Sequence, residues 1–328
     1  MPKYDDVGSL PLPEKVNRGE FERGLLNFED WALKICRESM ELKIGRGVEV
    51  PCYPQLRDMI NQFLEPLKDP KLTEEPYLIR KGEANLPELL ALRESSTKLP
   101  QLKMCVTGPL ELTSAEFESK IHGDILLNLA RSLKRFIKNA ESMRRVDVGV
   151  VSIDEPSLGM NPQLVFDDET LIQAWDIVGD TKMDVQVHLH SALFNETACK
   201  SSGVDIIDIG TAGRPENLGL IDPELIDSYE KGVRIGVSRT DALSMAAEFN
   251  ERNNVNVWES GVDWQILLDQ IDPPARIAER IEKAYERFGE LVKYFGPDCG
   301  VGGVIPRDFA AKILENTKSG INLFRKQS

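Results

Sequence analysis

The chain has 328 residues, 41% of them hydrophobic and 29% charged, the balance of a soluble globular protein, and no apolar run approaches the roughly 20 residues that a membrane helix needs. With 40 basic and 54 acidic residues the formal net charge is -14, which argues against nucleic acid as a partner, because phosphate binding needs a surplus of Lys and Arg. Cys36, Cys52, Cys105, Cys199 and Cys299 are scattered and form no C-x-x-C pair, and the N-terminus MPKYDDVGSLP has no apolar h-region, so reduced thiols in the cytoplasm are expected.

In chain order, DDVGSLPLP reads as a strand end followed by a Gly-Ser turn and prolines that rule out helix. Residues Asn27 to Ile44 carry Phe28, Trp31, Ile35 and Leu42 at helical spacing, which predicts one buried face. GVEVPCYPQL predicts a strand entering a Pro-broken loop, and Gln55 to Phe63 the helix after it. LKMCVTGPLEL predicts a strand closed by Thr107-Gly108-Pro109, and Gly123 to Arg145 a long amphipathic helix with Ile125, Leu129, Leu133, Phe136 and Met143 near one face.

VDVGVVSIDEP is nearly continuous in Val and Ile, the mark of a parallel strand covered on both sides. It ends in Asp154-Glu155, where α/β folds place their chemistry; helix capping or a structural ion pair is the alternative for these two acids. Val204 to Gly213 and Gly232 to Asp241 repeat the strand pattern. Alternating strands and helices with no dinucleotide fingerprint predict an α/β fold, a single (β/α)8 TIM barrel over residues 1–328, with a doubly wound open sheet as the alternative. An inserted segment is expected at about residues 245–295, before the last strand. Its NERNNVNVWESGVDW predicts a hairpin or irregular lid, followed by a charged amphipathic helix from Pro274 to Tyr294.

The stretch DVQVHLHSA, Asp184 to Ala192, alternates, so Gln186, His188 and His190 share one face of a strand and Val185, Val187 and Leu189 the other. Two of the chain's 3 histidines therefore point the same way, either as hydrogen-bonded core histidines or as a site.

Six motifs then stand in one order: VGSLP at 7–11, RDMINQF at Arg57 to Phe63, VTGP at Val106 to Pro109, SIDEP at Ser152 to Pro156, VHLHSA at Val187 to Ala192 and GPDCG at Gly296 to Gly300. In this the chain resembles the catalytic C-terminal barrel of cobalamin-independent methionine synthases, and more closely the stand-alone archaeal and bacterial core forms. The resemblance spans nearly the whole chain and implies the barrel fold shared with uroporphyrinogen decarboxylase.

It also implies an S-methyltransferase of methionine biosynthesis. A methyl group would pass from a folate or pterin, or from a corrinoid carried by a partner protein, to a small thiol such as the amino acid homocysteine. The family's zinc holds that thiol as the nucleophilic thiolate. Its ligands are the His and Cys of a His-x-Cys motif, a Glu on the next strand and the Cys of the late turn. His190 and Cys299 match two of these, but Ala192 stands at the first cysteine and Gly210 at the glutamate, and two protein ligands do not make a zinc site. Asp208 and His188 are the further metal-ligand candidates, and Cys299 can also be read as a small turn residue.

On the substrate side the resemblance makes Asp154 and His190 the catalytic candidates. Asp154, with Asn61 in place of a family glutamate, would hold the amino group, Glu155 is a further substrate-binding candidate, and Gly8 and Ser9 would meet the carboxylate, the alternative for these two being an ordinary turn. Two other functions fit the same barrel. A metal-free decarboxylase-like enzyme would use Asp154, Arg239 and Arg307 against an acidic substrate, and a non-catalytic homologue would bind a ligand or an assisting partner subunit.

Overall fold

A computed structural model describes residues 1–118, 120–259, 264–303 and 306–327. Its centre is a curled, all-parallel sheet of seven strands. Their spans are β1 (Lys3–Tyr4), β4 (Leu102–Thr107), β5 (Val148–Asp154), β6 (Asp184–Leu189), β7 (Ile206–Gly210), β8 (Gly232–Ser238) and β9 (Val292–Pro297), in the order β1-β9-β8-β7-β6-β5-β4. A separate two-stranded antiparallel pair, β2 (Thr73–Glu75) and β3 (Leu78–Ile79), lies outside it. Helices cover the outside. The 123–141 helix buries Leu129, Leu133 and Phe136 as its spacing predicts, with Leu126 beside them, while Ile125 is half-buried and Met143 lies past its end.

Expected as a closed eight-stranded ladder, the barrel is not completed. Residues 50–55 run between the edge strands but join them only through single bridges, Asp5↔Val50 and Ser9↔Gln55 on one side and Cys52↔Lys103 on the other. Pro51 and Pro54 lack the N–H groups that a continuous ladder would need. The architecture is thus TIM-barrel-like, with its eighth position filled by a pinned, Pro-broken segment.

Three local expectations are corrected. The early helical region is two helices, Arg18–Leu26 and Asp30–Gly45, and the second buries Ala32, Ile35, Cys36, Met40 and Lys43 while Phe28 and Trp31 stay exposed. The helix expected from Gln55 begins at Asn61, because 55–60 completes the eighth position and a turn capped by Asp58. Between β8 and β9 the chain forms helices Ala242–Asn253, Trp264–Ile271 and Pro274–Phe288; part of the lid expected at 250–264 lies outside the described residues.

Inside the barrel the side chains stack in layers. Val50, Val150, Ile206 and Tyr294 form a small apolar cluster towards the strands' N-terminal ends. Above it lies a fully buried polar layer. Lys103 Nζ donates to Asp5 Oδ2 at 3.1 Å and to Gln186 Oε1 at 2.6 Å, and Arg234 donates to Asp5 Oδ1 at 2.6 Å and to Asp208 Oδ1 at 2.7 Å. Two cations thus face two carboxylates, which is how charges survive in a low-dielectric interior. No helix of the described residues is long and apolar enough to cross a membrane, and all five cysteines are free thiols.

Candidate active site

The parallel register sets Asp154 beside His188, His188 beside Asp208, and Asp208 beside Arg234 on four consecutive strands. Burial raises the Asp208 carboxyl, but Arg234, His188 and Lys103 together outweigh it and hold it well below the usual range, so Asp208 is an acceptor only. His188 Nδ1 lies 2.9 Å from Asp208 Oδ2 and therefore carries a proton, which leaves Nε2 as the nitrogen that offers a lone pair whenever the ring is neutral. That Nε2 is buried without a hydrogen-bond partner. Asp208, offered by the sequence as a metal ligand, instead orients His188, with both its oxygens engaged.

The third element is the turn after β9. One ring nitrogen each of His188 and His190 and the sulfur of Cys299 lie within 4.8 Å of one another, and Cys299 Sγ is 3.4 Å from His190 Nε2. Burial raises the Cys299 thiol, but the neighbouring imidazoles of His188 and His190 together outweigh it and bring it from 9.0 to about 6. Burial likewise opposes a charged His188, and Asp208 overrides it, holding this imidazole well above 6.5.

The turn is held from the other end of the chain. Ser9 Oγ accepts the Gly302 N–H at 3.0 Å, and Ser9 O accepts the Val301 N–H at 3.2 Å. A Cβ on Gly300 would overlap Ser9 Oγ, so only glycine permits this approach. Gly8, at φ +142°, accepts from the buried Lys43 Nζ at 2.6 Å, and Lys43 is itself paired with Asp6 at 2.7 Å. Of the two residues predicted to meet a substrate carboxylate, Ser9 thus positions the Cys299 turn and lines the adjoining cavity, while Gly8 holds Lys43. Asp298, beside Cys299, accepts from the N–H groups of Thr211 and Ala212, each at 2.9 Å, and of Gly213 at 2.6 Å, while burial raises its carboxyl to about 6. Gly210, where the resemblance expects a glutamate, lies against Asp298: a Cβ there would come within 3.1 Å of its carboxyl carbon.

Two cavities meet at this cluster. One, of about 320 Å³, is lined by His188, His190, Cys299, Asp154, Ser9 and Gln55, with Arg18, Leu10, Met59 and Pro156 among the other walls. Asp154 is buried there and accepts from Ser152 Oγ at 2.6 Å; desolvation raises its carboxyl, against the pull of His188 and Lys103. The second, of about 330 Å³, reaches His190 and Cys299 from the side of Gly210, Arg214, Asn217 and Asp241. The larger cavity, about 650 Å³, lies at the N-terminal ends of β1, β6, β7, β8 and β9, away from this chemistry.

Other predicted residues are placed elsewhere. Asn61 is exposed at a helix start, its N–H bound to Asp58, and does not line the cavity. Glu155 is fully buried and faces away: its oxygens accept from the N–H groups of Leu110 at 3.1 Å and Glu111 at 2.7 Å, capping the helix Pro109–Phe117. Arg239 is bound to Asp241 and Glu248, and Arg307 to Pro11 and Ser39, so neither faces Asp154 across the cavity. Ala192 is buried at the start of a 3-10 turn. Sequence reasoning missed Gln55, Arg234, Lys103 and Asp5. Lys103 and Arg234 had a signal, a lone cation inside an apolar strand run; Gln55 had none.

No protein-family model and no curated protein matches the chain. Among solved structures it is similar to a B12-independent methionine synthase from Shewanella sp. W3-18-1 in complex with selenomethionine, with a TM-score of 0.65 and 15% identity, covering 100% of this chain and 98% of that one. A doubly substituted mutant of an organophosphorus hydrolase from Deinococcus radiodurans follows at a TM-score of 0.45 and 11% identity, covering 100% and 86%. The first likeness establishes the fold.

Proposed function

We propose that the chain is a methionine synthase-like S-methyltransferase, moving a methyl group from a folate, pterin or corrinoid donor to the thiol of a small amino acid such as homocysteine. The observation that carries this is the His188, His190 and Cys299 cluster, whose His190 and Cys299 line both cavities, one of which presents the buried carboxylate of Asp154. The fold neighbour's complex with an amino acid carrying a methylated chalcogen supports the same class of ligand.

The chain's donor set fits the zinc that the family resemblance implies. His188 has an orphaned, buried Nε2 and a fixed Nδ1 proton, and with His190 and Cys299 it makes the three protein ligands of a catalytic site with one position open. Bound there, zinc would keep a substrate thiol deprotonated at neutral pH. His188 thereby stands in for the side chains missing at Ala192 and Gly210.

The remaining work falls to the chain itself. Asp154 binds the ammonium of the acceptor, the apolar wall of Leu10, Met59 and Pro156 excludes water around its carbon chain, and Asp208 holds His188 in register. The second cavity admits the methyl donor to His190 and Cys299 from the side of Gly210 and Arg214. The deciding experiment incubates zinc-replete protein with homocysteine and either methylcobalamin or methyltetrahydrofolate and follows methionine by mass spectrometry. Formation above the uncatalysed rate, lost in Cys299→Ala, is expected; no methionine from either donor overturns the proposal.

A further inference from the structure

The cavity beside the cluster contains a second orphan. Gln55 is 5% exposed and lines the cavity, and its Nε2 is buried with no hydrogen-bond partner. This amide nitrogen is a donor with no protein acceptor, and a polar group entering the cavity can supply one. The Gln55 backbone is held beside the Gly8-Ser9 turn by the bonds Gln55 N–H to Gly8 O at 3.3 Å and Leu10 N–H to Gln55 O at 3.4 Å.

Arg18 is the other unengaged donor. It lines the same cavity from the start of the helix Arg18–Leu26, is exposed, and makes no ion pair among the described residues. The remaining cation on this wall, Arg57, is not available: Glu88 binds it through Nε at 2.6 Å and Nη2 at 2.9 Å. In the Gly8-Ser9 turn the Ser9 Oγ and the Gly8 carbonyl are acceptors already engaged, by the Gly302 N–H and by Lys43. The cavity thus offers an acceptor wall, Asp154, a separate donor wall, Gln55 with Arg18, and the sulfur and imidazole cluster.

From this we infer that Gln55, with Arg18 at the mouth, reads the carboxylate of the acceptor thiol and sets its specificity, while Asp154 takes the ammonium. The inference rests on the methyl-acceptor reading above and adds to it a requirement on the substrate: a thiol with an anionic group next to the amine. A neutral amide in the buried position binds a carboxylate without importing a second buried charge of its own, and the exposed guanidinium supplies the counter-charge where water still screens it.

The test is isothermal titration of zinc-loaded protein with homocysteine, its carboxamide and 3-aminopropanethiol. Wild type is expected to bind homocysteine about ten- to hundredfold more tightly than the other two, the range for a lost charge-assisted hydrogen bond. Gln55→Leu and the isosteric Gln55→Glu should shrink that ratio towards one, and Arg18→Ala, a surface change that leaves folding intact, should reduce it and make it less sensitive to salt. Zinc content by elemental analysis should be the same in all four proteins. Wild-type ratios retained in both Gln55 variants overturn the assignment while leaving the methyltransferase reading standing. If wild type binds none of the three thiols, the acceptor reading itself falls, and the assignment with it.

Discussion

Asp208 and His188 are cross-strand neighbours in the parallel sheet, and the 2.9 Å contact between Oδ2 and Nδ1 fixes which nitrogen of the imidazole faces Cys299. Asp208→Ala removes this orienting bond and also leaves Arg234 with Asp5 as its single buried counter-charge. Breaking a buried pair on one side typically costs about 3–5 kcal/mol. That loss is expected in urea denaturation. Zinc affinity, read by competition with a chromogenic chelator, should fall about 10- to 100-fold as for other second-sphere carboxylates.

A metal held by the three clustered residues has a stoichiometry. Zinc-replete protein should carry about one zinc per chain, and His188→Ala, His190→Ala and Cys299→Ala should each lower it, with the thiolate change the most damaging. Elemental analysis after gel filtration measures this. A metal-free wild type would remove zinc from the proposal, and full zinc in His188→Ala would return the ligand role to residues other than His188.

Glu155 gives stability a pH dependence of unusual sign for an acid. Burial raises its carboxyl from 4.5 to about 8, against the N–H groups of Glu111 and Leu110 that favour the charged form. The folded state therefore keeps a proton that the unfolded chain releases. Its stabilisation is whole below about pH 4.5, declines as pH rises, and is lost once pH passes about 8. The total is on the order of a few kcal/mol. Glu155→Gln cannot titrate, so the fall in denaturation midpoint between about pH 5 and pH 8 should flatten in that variant; an unchanged slope would show that other groups cause it.

Gly300→Ala should disturb the Cys299 turn, because the added methyl overlaps Ser9 Oγ. Overpacking of this kind costs about 1–3 kcal/mol. Ser9→Gly removes the hydroxyl, so the double variant should recover part of the loss, and a thermodynamic cycle with the two single variants should show coupling of about 0.5 kcal/mol or more. Strict additivity would mean that the turn relaxes elsewhere.

Much of this arrangement was readable in advance. The alternation of DVQVHLHSA placed Gln186 and His188 inward, and Val-Ile runs located β5, β7 and β8. Partners of those inward groups were not readable, because the Asp208–Arg234 and Lys103–Asp5 pairs depend on strand register across 26 and 98 residues of chain. Glu155 was misassigned for a related reason: sequence puts it next to Asp154, but successive residues of an extended chain face opposite ways, and it turns outward to the helix after β4. Trp31 and Phe28 failed as core markers because a break at 27–29 separates two helices and shifts the buried face.

The bridged segment at 50–55 gives the barrel a seam. Ladder strands lose their pairing together, whereas this stretch is joined by single bridges on either side and carries two prolines. Its amide protons should therefore exchange with solvent ahead of those in β5 to β8, through local opening that leaves the rest of the sheet intact. Gln55 and Cys52 sit in that seam, so one wall of the cavity belongs to the part of the barrel that yields first, and a ligand bridging Gln55 to Asp154 would slow exchange there more than anywhere else in the molecule.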